Sequence, residues 1–551
     1  MAGKTMDRLL QMVGPGWYQV AVYILLCLNY IPVNNNHTIM AFFGLPLSHR
    51  CKVPENLTTT LPSMSQVAAD TCHLNVTTYT GDNSSELSRV KCPGQWEYDR
   101  GDPGPLGFSD WTIASEWDLV CDQRFLASLA TTIYFVGVMF GGVVFGALAD
   151  AFGRKPVMLG CLYAQMFVCL AIYFSQGYVM FVALRFVLGF LLQGLQSTSF
   201  ILIMEMFMPE HRTIVGTIVE CFWALGNMWL AFLGFLFRDW HYIQLAVTLP
   251  SILAIGYIWL IPESLRWLIV NGKVESAKQV AEKAVKYNRV KVVHSYLHDT
   301  IDEVAAQTSK SDDTEPTRRY TVLDMLRTPM LRRRALSMFY IWFATSLVYY
   351  GLLLNIGKLS GDKYLNYFIS ACIEMVTYVI AIFLISRFGR PKPLVGFFLT
   401  AGISCIFSVA LPDVIGDFRM QNVKTGFAFL GRCGVSGCFS VIFMYTSELF
   451  PTVIRTVALG ACLFWARFGG VVAPQINLLD SGTGFQRAPS IAFGCIAIVG
   501  AVIAFFLPET LHRRLPDTLE EAERLESFHQ ETSYDSVGHE MVDQSDMSER
   551  V

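Results

Sequence analysis

Charge is scarce in this sequence. Asp, Glu, Lys and Arg supply 16% of its 551 residues, against about 25% in a soluble domain. Much of its surface must therefore face something other than water. The formal net charge of −3 is too small to point to nucleic acid, so no nucleic-acid partner is expected. Catalytic patterns are missing as well. No nucleophile–base motif is visible, and the nearest approach to a phosphate-binding loop, GLLLNIGKLS at 351–360, fails. Its glycine spacing is one residue too long, and Leu359 stands where Ser or Thr is needed. ATP is thus not the evident energy source. His294 and His298 have the i, i+4 spacing of a metal pair but no third ligand on their amphipathic helix, which reads as a solvated face. No enzyme activity, catalytic residue, metal or cofactor is expected.

What is abundant is apolar: 53% hydrophobic residues, with 40 Phe. About twelve segments are long enough to cross a hydrocarbon core of roughly 30 Å. They run at 17–36, 126–148, 156–176, 178–204, 212–235 and 242–262, then 336–356, 364–386, 393–411, 422–446, 456–478 and 488–508. The first follows Lys4 and Arg8 in the manner of a signal peptide. It has no small-residue cleavage site and reads as a retained span.

Three charged motifs recur in the same order, roughly 240 residues apart. GALADAFGRKP at 146–156 returns as ISRFGRPKP at 385–393. EMFMPEHR, with Glu205 and Arg212, returns as ELFPTVIR, with Glu448 and Arg455. PESLRWL at 262–268 returns as PETLHRR at 508–514. A duplicated six-span unit set in a membrane is the plan of a two-half transporter. The expected division is a cytoplasmic segment 1–16, a first half 17–263, an insert 264–335, a second half 336–509 and a tail 510–551.

Arg154, Lys155, Arg212, Arg387, Arg390, Lys392 and Arg455 share one side with the insert and its Arg332-Arg333-Arg334 run. The positive-inside rule makes that side cytoplasmic, with both termini there. The loop at 40–125 then lies outside. It carries glycosylation sequons at Asn56, Asn75 and Asn83, with a fourth at Asn36 close to the membrane. It also holds Cys51, Cys72, Cys92 and Cys121, four of the 14 cysteines. Two disulfides would satisfy them, in any of three pairings. This places the chain at the plasma membrane. The tail ends in Glu549-Arg550-Val551, of the kind a PDZ domain takes by strand addition.

These motifs, with ASEWDLVCDQRFL at 114–126 and the large cysteine-bearing loop, resemble the organic cation, organic anion and carnitine transporters of the major facilitator superfamily. The likeness covers nearly the whole chain. It implies an all-α fold of twelve transmembrane helices in two pseudo-symmetric halves, alternating access, and small organic ions as substrates. It implies gating charge pairs at Asp150, Arg154, Glu205 and Arg212, and at Glu448 and Arg455; the alternative is that these residues only anchor helix ends. Two departures stand out: Ala151 follows Asp150 where the family has a basic residue, and Ser386 replaces the aspartate in the second copy. The lock is therefore expected to be stronger in the first half.

The substrate question rests on Arg467 and Glu374, isolated charges inside spans and expensive there without a partner or ligand. The resemblance puts Arg467 where cation carriers have an aspartate and where anion and carnitine carriers have an arginine. Tyr378 stands four residues beyond Glu374, as in carnitine-like members. The resemblance places Tyr349 and Tyr350 near substrate, with Trp223 as a further lining candidate that could equally face lipid or pack; such rings can hold a quaternary ammonium group through cation–π attraction. Glu220 is a further buried acid, while Arg185 and Arg432 read as structural. Asn29, Gln193, Gln196 and Gln475 serve either the site or interhelical bonding, and Trp229 either packing or lipid. The expectation is a carrier of zwitterionic, carnitine-like molecules or organic anions. The alternatives are an organic cation carrier and a non-transporting receptor or scaffold on the same fold.

Overall fold

The computed structural model describes residues 2–511 except 15, 54–64, 81–83, 291–292, 315–320, 413, 416–417, 452 and 483–486. Asn56, Asn83, the PDZ-type ending and nearly all of the tail lie outside the described residues.

Among the described residues, eleven helices are long and apolar enough to cross a membrane, and they match spans 2 to 12. Spans 2 to 5 are Phe125–Phe152, Arg154–Tyr173, Tyr178–Met206 and Pro209–Phe237, and span 6 is Trp240–Leu260. Spans 7 to 12 are Pro329–Leu354, Lys363–Phe388, Pro391–Ala410, Gln421–Leu449, Arg455–Asn477 and Ala488–Phe505. Their outer faces carry large exposed apolar side chains such as Phe167, Val179, Trp259, Phe383 and Phe505, as lipid contact requires.

Span 1 departs from the single segment expected at 17–36. It is three successive helices, Trp17–Leu28, Tyr30–Thr38 and Met40–Phe43. Pro32 has no N–H to offer the Leu28 carbonyl, which explains the break at Asn29. The following run Asn34, Asn35, Asn36 and His37 is buried within the bundle. Asn36 donates to the Pro32 carbonyl at 2.9 Å, a position closed to a glycan.

Two short antiparallel sheets build the loop between spans 1 and 2. In one, β1 (His49–Cys51) pairs with β5 (Trp96–Tyr98). In the other, β2 (Ser65–Ala69), β3 (His73–Thr80) and β4 (Ser84–Lys91) lie in that order. Asn75 sits on β3 between Ala68 and Arg89. Of the three pairings open in the sequence, the structure has Cys51–Cys92 and Cys72–Cys121. The tryptophan of ASEWDLVCDQRFL docks this loop: Trp117 packs on Phe181 and Trp240, and Glu116 accepts from the Trp240 indole.

The opposite, basic end is covered by the insert. Its helices Val274–Asn288 and His294–Thr314 bury Ala277, Ala281, Leu297 and Ile301. They hold the first helix, Ala2–Val13, through Arg8 to Tyr296 at 2.8 Å and Asn288 to the Val13 carbonyl at 3.1 Å. Within the insert, the His298 ring bonds Glu282 at 2.7 Å.

Candidate functional site

A cavity of about 100 Å³ lies between the halves, at mid-span. Span 4 contributes Gln193, Gln196 and Phe200; span 5 contributes Glu220 and Trp223. From the second half come Trp342, Tyr349, Tyr350, Tyr378, Phe439, Phe443 and Arg467. Edge-to-face contacts order the rings: Trp342 on Phe443 at 4.6 Å and Tyr349 on Phe439 at 5.2 Å. Such contacts fix ring faces and edges in place before any ligand arrives.

Arg467 reaches the cavity as expected. Its Nη2 donates to Gln196 Oε1 at 2.9 Å across the two halves, and no acid lies in ion-pair range among the described residues. Glu220 lines the same cavity, likewise without an ion-pair partner among the described residues. Tyr349, Tyr350, Tyr378 and Trp223 are all brought to the site, whereas Trp229 is 39% exposed and faces outward.

Glu374 does not line the cavity. It lies behind Tyr349 and Tyr378, whose hydroxyls both donate to its Oε1 at 2.7 Å. Its Oε2 accepts from Asn227 at 2.9 Å and from Arg432 Nη2 at 3.1 Å. The carboxylate is fully buried and met by four donors. The acid facing the cavity opposite Arg467 is thus Glu220 rather than Glu374.

The same network ties the halves together. Trp223 Nε1 donates to the Tyr349 hydroxyl at 2.9 Å. Asn227 Oδ1 accepts from Tyr367 at 3.0 Å and from Asn34 at 2.9 Å. Asn34 and Asn227 escaped the sequence reading; the signal was present as amides within spans, Asn34 in the run 34–36 and Asn227 alone, but many such amides only bond neighbouring helices. Asn29 and Gln475 do that here, bonding Ser199 and Thr132. Arg185 is structural as expected, set 4.1 Å over the Tyr134 ring and bonded to the Asn36 carbonyl.

At the basic end the three repeated motifs of each half converge. In the first, Arg154 pairs with Glu205 at 3.2 Å and Asp150 at 2.9 Å. In the second, Arg390 grips Glu448 with two prongs, at 2.7 and 2.8 Å. Within the expected first-half set the ion pair of Glu205 is with Arg154; in the second half the expected pairing is corrected, since Glu448 pairs with Arg390 rather than Arg455. Each acid lies at the end of one helix and each later arginine in the first turn of the next, so the chain turns between them. Arg212 instead donates Nε to the Phe207 carbonyl at 3.1 Å.

The exit motifs, given no role beforehand, supply a helix-end anchor. Glu263 accepts from the backbone N–H groups of Arg154 and Lys155 at 3.1 and 3.2 Å. Glu509 accepts from Arg390 N at 3.0 Å. A carboxylate at a helix N-terminus satisfies orphan donors and complements the helix dipole. Burial raises the Glu263 carboxyl above the usual range, opposed by these N–H groups. Ser386, which stands in the second copy where the first has Asp150, bonds its own helix at Ile382. The bidentate geometry nevertheless belongs to the second half.

These pairs lie within each half. Ionic ties across the halves sit at the strand end: Asp110 with Lys363 at 2.6 Å, and Asp480 with Arg124 at 3.9 Å. Thr132 to the Val471 carbonyl at 3.2 Å and Phe135 against Tyr350 at 4.6 Å add to the seal above the cavity.

The family model described as sugar (and other) transporter matches residues 66–524. The organic cation transporter protein of Drosophila melanogaster is 31% identical over 521 residues, covering 92% of both chains. Solute carrier family 22 member 6-A of Xenopus laevis is 30% identical, covering 93% of this chain and 92% of that one. Solute carrier family 22 member 7 of Rattus norvegicus is 34% identical, covering 81% and 80%. The xylose transporter XylE from E. coli, in a partially occluded inward-open conformation, superposes with a TM-score of 0.60 at 15% identity. It covers 90% of this chain and 100% of that one, which establishes the fold. The chain belongs to solute carrier family 22, a family of membrane transporters rather than enzymes, and has the twelve-helix fold of the major facilitator superfamily.

Proposed function

We propose that this protein is a plasma-membrane carrier that moves small organic ions by alternating access through the central cavity. Zwitterionic, carnitine-like molecules or organic anions are the favoured substrates. One observation carries this reading: Glu220 and Arg467, of opposite charge, share an aromatic cavity, and neither has an ion-pair partner among the described residues. A charge at membrane depth without a partner is costly and is retained where a ligand supplies one. Arg467 receives a carboxylate through its forked donors. The faces of Trp223, Tyr349 and Tyr350 hold an ammonium group, with Glu220 as its counter-charge. Glu374 acts on the substrate only through the tyrosines it anchors.

The basic loops face the cytoplasm. The Asp150–Arg154–Glu205 and Arg390–Glu448 clusters brace the inner end of each half, with Arg212 and Arg455 beside them, and the strand-end ties close the outer gate. Asn56, Asn75 and Asn83 carry glycans outside.

A second reading, an organic cation carrier, has support in the acid Glu220 and the aromatic lining. Uptake of a quaternary cation, a dicarboxylate, an aromatic monocarboxylate and a betaine separates the two, normalised to surface expression. Arg467→Asp should abolish betaine and monocarboxylate uptake. Glu220→Gln should abolish betaine uptake and spare the monocarboxylate. If the wild type carries the quaternary cation and Arg467→Asp leaves that flux unchanged, the cation reading replaces ours. Absence of any flux by purified protein in liposomes would favour a receptor.

A further inference from the structure

Two helices of the insert, Val274–Asn288 and His294–Thr314, meet at an elbow. Asn288 fixes this elbow to the start of span 1. Its Nδ2 donates to the Val13 carbonyl at 3.1 Å and to Gln19 Oε1 at 2.7 Å, and its Oδ1 accepts from Tyr18 N at 3.0 Å. The ring of Tyr287 lies 5.9 Å from that of Tyr18. The elbow is therefore held level with the first turn of Trp17–Leu28, where span 1 enters the hydrocarbon.

The free surface of the elbow is apolar. Tyr287 is 67% exposed and Val293 69%, and Val290 is exposed beside them. Trp17, the first residue of span 1, is 80% exposed. It heads the exposed stripe Val20, Ile24 and Leu28, whose spacing is that of one helix face. Aromatic rings at the level where a helix leaves the hydrocarbon suit the headgroup layer. The charge beside them is basic. Lys286 and Arg289 are exposed, and neither has an ion-pair partner among the described residues. No acid occurs from Lys283 to Val290, and Glu282 just before them is engaged by His298 at 2.7 Å.

We propose that this elbow docks on the membrane itself, and that its partner is the anionic lipid surface of the leaflet on the insert side. Trp17, Tyr287, Val290 and Val293 enter the headgroup layer, while Lys286 and Arg289 meet the acidic headgroups. Two features select lipid over a soluble partner. The patch continues the lipid-facing stripe of span 1, and its charge is opposite to that of a cytoplasmic leaflet, the insert side in the topology proposed above. Docking carries Asn288 with it, so the composition of that leaflet bears on the basic end of span 1.

Hydrogen exchange of the full-length chain, one copy per lipid nanodisc, reads the docking. His294, Ser295 and Tyr296 open a helix and their N–H groups have no acceptor within it, so exchange there reports what covers the elbow. Adding phosphatidylserine to a phosphatidylcholine disc should slow exchange over 287–290 and 294–297 about tenfold or more, since each basic residue beside an anionic surface contributes about a factor of five. Exchange over 274–284 should stay the same. Lys286→Gln/Arg289→Gln should abolish the dependence on phosphatidylserine, and Tyr287→Ser/Val293→Ser should speed exchange of the elbow in both discs. Unchanged protection over 274–284 shows that a variant is folded, and the single variants give the same reading if a double variant is poorly expressed. Equal exchange in the two lipid compositions, or a phosphatidylserine effect that survives the charge variant, would overturn the proposal. So would loss of the protection on deleting the acidic tail 512–551, which would make the tail the occupant.

Discussion

Arg432 and Glu374 form an ion pair of 3.1 Å whose side chains are 2% and 0% exposed. Moving both charges out of water is unfavourable by several kcal/mol per ion. The geometry offsets this with three further donors on Glu374, from Tyr349, Tyr378 and Asn227, and with the Tyr349 ring 3.8 Å from the guanidinium carbon. Because Asn227 belongs to the first half, the pair also helps to hold the halves together.

Glu374→Gln or Arg432→Gln alone leaves one charge buried and uncompensated, and should destabilise the fold by about 3–5 kcal/mol. The double variant should recover a large part of that loss. A cycle of melting temperatures in detergent measures the coupling. Purely additive losses would show that the two charges do not depend on each other.

Gly153 and Gly389 stand at the ends of spans 2 and 8 with φ of +111° and +88°. At Gly153 a Cβ would fall 2.5 Å from Glu263 Oε2, and at Gly389 it would overlap the Glu509 carboxylate. Gly153→Ala and Gly389→Ala each combine a backbone penalty with loss of the helix-end anchor, and should cost more than about 1 kcal/mol. Unchanged unfolding temperatures in both would rule out this role for the exit glutamates.

Asp110 couples the strand-rich loop to span 8, meeting Lys363 Nζ and the Tyr364 hydroxyl, each at 2.6 Å. Asp110→Asn should loosen the strand end, so that a cysteine placed at Tyr350 reacts faster with a thiol reagent added from the loop side. Lys363→Gln should accelerate labelling in the same direction. Identical rates in wild type and both variants would remove these contacts from the gate.

Cys51–Cys92 and Cys72–Cys121 cross-link the loop. Non-reducing peptide mapping should recover those two linkages and no other pairing of the four. A Cys51→Ser/Cys92→Ser variant should lose about 2–4 kcal/mol of stability in that unit and reach the surface in smaller amounts.

Apolar runs, a doubled order of charged motifs and basic loops on one side were enough to define twelve spans in two halves. Burial of a long apolar segment in lipid depends on local composition alone, so span existence was legible residue by residue. Arg467 could be singled out for a related reason, since a lone charge inside a span declares itself locally, whereas Tyr349 and Tyr350 were placed by the family resemblance. The partners could not be read locally. Glu205 lies seven residues from Arg212, yet its ion pair is with Arg154, fifty-one residues away. Glu374 was read as the acid facing Arg467, but Arg432, fifty-eight residues on, claims it. Ion pairing depends on angstrom-scale side-chain geometry set by how helices rotate and cross, and nothing in the local sequence specifies that rotation. The choice of cavity acid and of the disulfide pairs was therefore made only when the helices packed.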